Sequence, residues 1–595
     1  MTEWILKNKK ADLSVMEREL GLGKVVCKVL ANRGFADAKE ALAYLHPEEG
    51  KLHEAALLKN AEKAATVLLD AVRASKTIRI IGDYDVDGVM ATYLLYEALR
   101  TLGATVDYRI PDRIADGYGM NMRMVEEAER DNIALLLTCD NGIAAREPIA
   151  RAKELGMEVV VTDHHDIPSH KEGDVVCFDL PPADVIVNPK QPGETYPQSG
   201  ICGAMVAYKV VCLLFEQAEE LLSQKTRQTL LRELLVPVTF ATVCDVMELV
   251  GENRAVVAQG LAFAKHCNNF GIRAIVNAYD LTEKKLSAYH AGFLIGPCFN
   301  AAGRLDTALL GLELLLCKEA AEAERRAMHL KELNDTRKQM TQEATKEALV
   351  LAEEKLLAGQ CPVLVLYLPE CHESLAGIVA GRVKEHFYRP TIVLTKGDHC
   401  VKGSGRSIEG YSMFEKLSEQ KELFLAFGGH PMAAGMSLTE ENVSVLDERL
   451  NQAAELSAED LTKKLYLDAV LPFSEISDTL LSELEVFEPL GNGNPKPVFG
   501  ASGVTVRGMR RMGKDGSSLR LSLTDSAGTS VTGLYFHEAD EFEAYIREEF
   551  REETVQALYR GTGSVKLTLA FSPSVDEYQG RKYPQIIIQA YKKSM

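Results

Sequence analysis

The sequence predicts an α/β protein: a parallel-sheet domain, then a smaller α/β domain reached through one long helix, and finally an all-β domain. Three observations carry this reading. From about residue 75 to 280, short β-branched runs alternate with segments of helical periodicity, the pattern of a parallel α/β sheet. Residues 318 to 357 contain neither proline nor glycine, and about 40 helical residues at 1.5 Å each span roughly 60 Å. Beyond residue 456 the pattern changes to five short alternating segments, at 504–509, 518–525, 530–536, 564–571 and 584–591.

A chain of 595 residues exceeds what one core organises and divides into roughly three to five domains. Apolar residues make up 46% of it, no apolar run approaches the roughly 20 residues of a membrane span, and the first residues lack a secretory h-region. A cytoplasmic protein with no membrane partner is expected. The twelve cysteines fall between Cys27 and Cys400 and include no C-x-x-C pair, so neither a zinc ribbon nor a redox dithiol is expected. The formal charge of −19 does not exclude a nucleic-acid partner, because carboxylates that hold metals enter that sum and a local basic groove can coexist with an acidic exterior.

Residues 1–74 read as helical, with apolar spacing in three segments, and as a cap on the domain that follows. The next stretch is the informative one. The β-branched run Thr77–Ile81 reads as a buried strand and a helix begins near Val89; between them lie Asp83, Asp85 and Asp87. In an extended loop side chains at i, i+2 and i+4 point the same way, so three like charges would converge and raise one another's pKa unless a cation joins them. Hard oxygen ligands suit Mg²⁺, Mn²⁺ or Ca²⁺. A solvated turn is the bland rival. An EF-hand is excluded, since its twelfth position is Leu94 rather than Glu and a strand, not a helix, enters the loop.

In parallel sheets ligands bind beyond the carboxyl ends of the strands. The strand candidate 133–139 ends in Asp140-Asn-Gly, Glu158–Val161 ends in Thr-Asp163-His164-His165, and the apolar run beginning at Val236 ends in Asp245. Four such sites at equivalent positions suit two divalent ions, Mn²⁺ especially.

These residues resemble the four motifs of the DHH phosphoesterase superfamily. Further signatures resemble its RecJ-type single-strand-specific DNA exonucleases: Gly117-Tyr-Gly119, Gly296-Pro-Cys-Phe-Asn300-Ala-Ala-Gly-Arg304, Gly428-Gly429-His430-Pro-Met-Ala-Ala-Gly, and Pro489-Leu-Gly-Asn-Gly-Asn-Pro495. The resemblance runs from about residue 75 to the C-terminus. It implies that two ions, Mn²⁺ or Mg²⁺, are held by Asp85, Asp87, Asp140, His164 and Asp245. Asp83 would add a ligand or a supporting group, and His165, with Asp163, would serve the chemistry at the scissile phosphate.

The divisions expected are a metal domain at 75–310, a connecting helix at 311–360, a DHH-associated substrate domain at 361–455 and an OB-fold at 456–595. In the substrate domain, Lys402-Gly-Ser404-Gly-Arg406 and Gly428-Gly429-His430 read as glycine-rich loops whose amides and side chains suit phosphate. The resemblance implies that Ser404, Arg406 and Arg304 grip a terminal 5′ phosphate, with Asn300 and His372 also facing substrate; Arg304 is read as lying in a loop. Five strands fit an OB-fold, with Arg507, Arg510, Arg511, Lys514 and Arg520 clustered on it and Tyr535, Phe536, Phe571 and Tyr578 available for stacking.

The expected activity is 5′-to-3′ hydrolysis of single-stranded DNA to 5′ mononucleotides, in repair and recombination. The expected partners are single-stranded DNA, a helicase and a single-strand-binding protein, and the expected state is a monomer. The alternatives are a phosphodiesterase for short oligonucleotides or cyclic dinucleotides, disfavoured by the large C-terminal domain, and a non-catalytic single-strand binder, disfavoured by the complete set of motif acids.

Overall fold

A computed structural model describes residues 2–594 except Asp174, Gln360, Lys514, Gln579 and Gly580. The chain forms two compact units. One is Lys51–Lys463; the other joins the two chain ends, Met1–Gly50 and Lys464–Met595.

In the first unit, five parallel strands stand in the order Thr105–Arg109, Thr77–Ile81, Leu135–Cys139, Glu158–Thr162, Val185–Val187. The chain steps from Thr77–Ile81 outward to Thr105–Arg109, then crosses to the other side for Leu135–Cys139. The crevice between Thr77–Ile81 and Leu135–Cys139 is therefore a switch point, where helices leave in opposite directions and ligands bind. Ile78, Ile80, Leu135 and Leu137 are solvent-free and pack with the helices Ala61–Arg73, Val86–Thr101, Gly203–Gln217 and Gln224–Cys244. An antiparallel hairpin, Ser169–Glu172 with Val175–Phe178, interrupts the alternation where no strand pair was expected.

The long helix is Ala320–Ala358. Its buried positions, Ala323, Ala327, Leu330, Asn334, Thr341, Thr345, Ala348 and Ala352, advance by three, four or seven residues, so one stripe faces the protein along its whole length. The first half of that stripe packs on Phe270–Ala278 and Gly296–Leu305, the second on Leu364–Tyr367 and Ala376–Phe387. It ties the two lobes of this unit together as a strut. The second lobe holds a mixed sheet in the order Phe424–His430, Ala433–Leu438, Val401–Arg406, Thr391–Lys396, Leu364–Tyr367. The segments read as glycine-rich loops at 402–406 and 428–430 are strands, because glycines paired across strands, Gly428 with Gly435, leave the ladder intact.

The second unit corrects the expectation for residues 1–74. Val26, Cys27 and Leu30 share a core with Phe487, Phe499 and Phe571, so the first helices cap the C-terminal domain. Ala61–Arg73 belongs instead to the first unit. Strands Phe499–Met512, Ser518–Thr524, Ser530–Tyr535, Arg581–Lys593 and Val565–Tyr578 pair in that order and the first pairs again with the last, closing a five-stranded OB-like barrel. Two unexpected helices, Ala539–Glu549 and Glu552–Arg560, follow the third of these strands. Tyr535 and Phe571 are buried in the barrel core and Phe536 is exposed. Arg511 is held by Glu543 and Asp540. Lys514 and the side chain of Tyr578 lie outside the described residues. Among the described residues no helix is long and apolar enough to cross a membrane.

The Pro489–Pro495 signature is structural. Asn494 is buried, donates to the carbonyls of Phe487 (2.8 Å) and Pro489 (2.7 Å), and accepts from the Tyr44 hydroxyl (2.7 Å) and from Arg33. Asn494→Ala would strand several of these groups and destabilise the unit by about 2–4 kcal/mol. Urea unfolding followed by the fluorescence of Trp4, the single tryptophan and a member of this unit, is the measurement.

Candidate metal centre and phosphate pocket

The strand Thr77–Ile81 ends two residues before Asp83, and the helix Val86–Thr101 starts sooner than its apolar periodicity indicated. Asp85 is its N-cap, accepting from the Gly88 amide at 3.1 Å. Asp87 lies in the first turn, so the extended alternation fails there: a helical residue turns by about 100° rather than 180°. Its carboxylate accepts from the amides of Gly203 (2.6 Å) and Ala204 (2.7 Å), at the positive end of the helix Gly203–Gln217. Asp83 and Asp85 consequently group with Asp140, whereas Asp87 groups with His164 and Asp245.

Asp140 follows the strand Leu135–Cys139 with φ of 60°, a left-handed conformation that costs energy outside glycine. Gly203 accommodates it, since a Cβ there would lie 2.7 Å from both Cβ and Oδ1 of Asp140. Asp245 is not at a strand end. It caps the C-terminus of the helix Gln224–Cys244, a segment whose apolar run mimics a buried strand. The next residue, Val246, has φ of 56°, a strain that a β-branched side chain rarely accepts.

Three ligand groups result, Asp83–Asp85–Asp140, Asp87–His164–Asp245 and Asp140–His164–His165, each with its ligand atoms within 4.8 Å of one another. His164 Nε2 lies 3.1 Å from Asp140 Oδ1 and 3.6 Å from both Asp87 Oδ2 and Asp245 Oδ2. Yet Asp83 Oδ1, Asp140 Oδ1, His164 Nε2 and Asp245 Oδ2 are buried atoms without a hydrogen-bond partner among the described residues. Buried polar atoms are normally paired, so four orphans converging on one spot fit a cation-binding set of mixed oxygen and nitrogen donors.

The charge balance agrees. Burial, then the Asp85 charge, pushes Asp83 well above the usual carboxyl range. Burial, then Asp87, Asp85 and Asp83, does the same to Asp140. Burial and then Asp87 raise Asp85, and the same causes bring Asp245 up to about 8. Burial lowers His164, which leaves its ring neutral and able to donate a lone pair.

Asp163 is different. It is buried and accepts from the amides of Ile143 (2.9 Å), His164 (2.7 Å) and His165 (3.1 Å) and from His165 Nδ1 (2.8 Å). Burial works against its charge, but these bonds, that from His165 first, carry it below the usual range. Burial likewise opposes charge on His165, and the Asp163 bond overcomes it to raise His165 to about 9. Asp163 thus favours the protonated form of His165. Sequence reasoning gave no role to Tyr118 or Lys190. The Tyr118 hydroxyl donates to the Asp140 carbonyl (2.7 Å) and lies 3.0 Å from His165 Nδ1. Lys190 pairs with Asp166 at 2.9 Å, beside the histidine pair.

Arg304 is on the helix Gly296–Leu305, not in a loop. Gly303 of that helix abuts the Tyr84 carbonyl, and Asn300 Oδ1 accepts from the Val86 amide at 3.2 Å, which makes Asn300 a holder of the Asp85–Asp87 turn. Arg304 donates to the Ser374 carbonyl of the second lobe. His372 caps the turn Glu373–Leu375 through Ser374, with Nδ1 2.8 Å from Ser374 Oγ. Arg406 Nη1 donates to Ser404 Oγ (3.0 Å) and to the Gly405 carbonyl (2.8 Å). Burial and then Arg113 lower both arginines, cations crowded together in a partly dry place. Arg113, whose guanidinium lies 4.5 Å from the Tyr84 ring centre, was not singled out from the sequence. Gly428, Gly429 and His430 lie on the exposed edge strand of the second lobe.

Carboxyls raised on folding bind protons that the unfolded chain, with an aspartate pKa of about 3.9, has released. Between about pH 4 and 8, set by the raised group and Asp245, metal-free stability should therefore fall as pH rises. Divalent cations should cancel that slope. Thermal unfolding with and without Mn²⁺ checks this: the gain in melting temperature should be larger at about pH 8.5 than at about pH 6.

The chain matches family models for the DHH family, N-terminal domain, over residues 77–238, the DHHA1 domain over 360–456, and the RecJ OB domain over 467–590. It is 31% identical to the single-stranded-DNA-specific exonuclease RecJ of Bacillus subtilis, over 98% of this chain and 70% of that protein. It is 33% identical to the protein of that name from Escherichia coli, over 89% of this chain and 90% of that one. A crystal structure of RecJ in complex with Mn²⁺ from Thermus thermophilus aligns with a TM-score of 0.80 and 28% identity, covering 100% of this chain and 80% of that one. The chain belongs to the RecJ family of the DHH superfamily.

Proposed function

We propose that this protein is a single-strand-specific 5′-to-3′ exodeoxyribonuclease that releases 5′ mononucleotides in DNA repair and recombination. The carrying observation is the convergence of four orphaned buried ligand atoms beside a cationic pocket on the same unit. Asp83, Asp85 and Asp140 would hold one divalent ion, Asp87, His164 and Asp245 a second, with Asp140 reaching both. Mn²⁺ or Mg²⁺ bound there would lower the pKa of a water and draw electron density from the phosphoryl oxygens.

The chain's own groups do the remaining work. Arg304, Arg406 and Ser404 receive the terminal 5′ phosphate, because a guanidinium fork that has no carboxylate partner among the described residues fits phosphate oxygens. That contact sets polarity: the first internucleotide phosphate then lies at the acidic cluster. Water adds to phosphorus as the bond to the 3′ oxygen breaks. His165, oriented by Asp163 and with its proton favoured by that contact, donates to the phosphoryl oxygens as charge develops on them. The shortened strand carries a new 5′ phosphate and re-enters the same pocket. The OB-like barrel supplies a single-strand-binding surface. A monomer in the cytoplasm, fed by a helicase and working with a single-strand-binding protein, completes the reading, since an enzyme that takes only single strands needs a source of them.

Single strands of graded length, labelled at the 5′ end and incubated with Mn²⁺, test the proposal. Mononucleotide release from long strands is expected; cleavage confined to dimers, or strand binding without release, would overturn it. Asp140→Ala should lower kcat by at least about 10³-fold with strand binding retained. Arg406→Ala should raise KM for 5′-phosphorylated strands by about 10-fold or more and leave 5′-hydroxyl strands little changed.

A further inference from the structure

Ser404 and Arg406 face the first turns of the helix Ala376–Phe387, and the second residue of that helix is Gly377. A Cβ placed on Gly377 would lie 2.7 Å from Arg406 Nη2, 2.9 Å from Ser404 Oγ and 3.3 Å from Arg406 Cζ. The guanidinium occupies the space a side chain would fill. Its other nitrogen is tied back to Ser404 Oγ and the Gly405 carbonyl. The strand that bears it, Val401–Arg406, is hydrogen-bonded on both edges, to Thr391–Lys396 and to Ala433–Leu438. Arg406 is therefore boxed in by sheet and helix, and the missing Cβ is what lets it sit there.

We infer that Gly377 is a positioning residue that sets where Arg406 and Ser404 meet the terminal 5′ phosphate, and so determines the enzyme's preference for phosphorylated ends. The inference rests on the phosphate-pocket reading above and deepens it. Glycine is a poor helix former because it loses more backbone freedom than alanine on folding. At position 377 φ is ordinary for a helix and no left-handed turn demands it. The close approach of the two phosphate-contacting side chains supplies the reason. A methyl group there would push the guanidinium away from the helix by several tenths of an ångström, and polar contacts to a phosphate tolerate about 0.5 Å.

The same helix contains the control. A Cβ on Gly381, one turn further on, meets nothing within 4 Å. Gly381→Ala and Gly377→Ala change the same residue type in the same helix, and only one touches the pocket.

The experiment is steady-state kinetics of the full-length, Mn²⁺-loaded enzyme on one single strand with either a 5′ phosphate or a 5′ hydroxyl, with melting temperature measured in parallel. For Gly377→Ala, KM for the phosphorylated strand should rise by about 10-fold, as misplacements of this size do, with kcat within about twofold and KM for the hydroxyl strand unchanged. Its melting temperature should not fall below wild type. Gly381→Ala should leave both KM values unchanged. In the Arg406→Ala, Ser404→Ala background, adding Gly377→Ala should have no further effect, because both partners of the clash are gone.

Unchanged discrimination in Gly377→Ala, or an equal rise on both substrates, would overturn the inference. If Arg406→Ala itself leaves the end preference intact, the pocket reading fails; if Arg406→Ala abolishes it and Gly377→Ala does not, only the role of Gly377 fails. Should Gly377→Ala not fold, the triple variant decides: recovery of the fold on removing Arg406 and the Ser404 hydroxyl supports the contact, and no recovery refutes it.

Discussion

Mutual repulsion among buried carboxylates is the constraint on which the rest of this structure depends. Asp83, Asp85, Asp87, Asp140 and Asp245 come from three separate stretches of chain and crowd one crevice. In a partly dry site such crowding costs several kcal/mol unless positive charge meets it. The fold supplies some of that charge itself: the N-terminus of Gly203–Gln217 takes the Asp87 carboxylate, and His165 takes that of Asp163. What remains unpaired is a set of oxygen and nitrogen atoms that divalent cations match. The left-handed backbone at Asp140 and Val246 is held by the packing around it, and it is stored where the ligands are aimed.

Where the two lobes of the first unit meet, the imbalance is the opposite. Arg304 and Arg406 each lie where burial and then the charge of Arg113 disfavour them. An acidic cluster that calls for cations and a basic pocket that calls for an anion, linked through Arg304 and Ser374, are jointly satisfied by a phosphodiester end accompanied by metal ions. This explains how a chain with a formal charge of −19 can act on DNA: local fields at the cleft decide, not the sum. The strut Ala320–Ala358, packed on both lobes, holds the two imbalances at a set separation.

Legibility followed the range of the interactions. Strand ends at Asp83, Asp140 and Asp163 could be read because a buried parallel strand is a short β-branched run and its carboxyl edge is where ligands lie. Asp245 is legible as a residue, but the apolar run before it reads as equivalent to the strands; the nine mostly apolar residues Val236–Cys244 look alike on a buried helix and a buried strand. Arg113 and Lys190 carry no local pattern that separates them from ordinary loop residues, and the Gly117-Tyr118-Gly119 signature marks Tyr118 without saying that its hydroxyl reaches Asp140 and His165. The glycines at 428 and 429 read as turns and form part of a sheet, since pairing with a partner strand is not a local property. Residues 1–50 read as helical, but Thr2–Leu6 is a strand, the segment read as Met16–Leu30 is two helices, Leu13–Leu20 and Lys24–Arg33, and their amphipathic faces do not say which core they complete.

The amino-acid sequence by itself determined the α/β pattern, the long helix, the barrel strands and which acidic and histidine residues gather in one crevice, because periodicity and motif spacing are short-range properties of the chain. Only the tertiary structure decided that Asp87 parts from Asp83 and Asp85, that Asp163 serves His165, that Asn300 braces the acidic turn, and that Gly377 gives Arg406 its room. Each of these depends on which atoms, remote along the chain, come within a few ångströms of one another, and packing alone sets that.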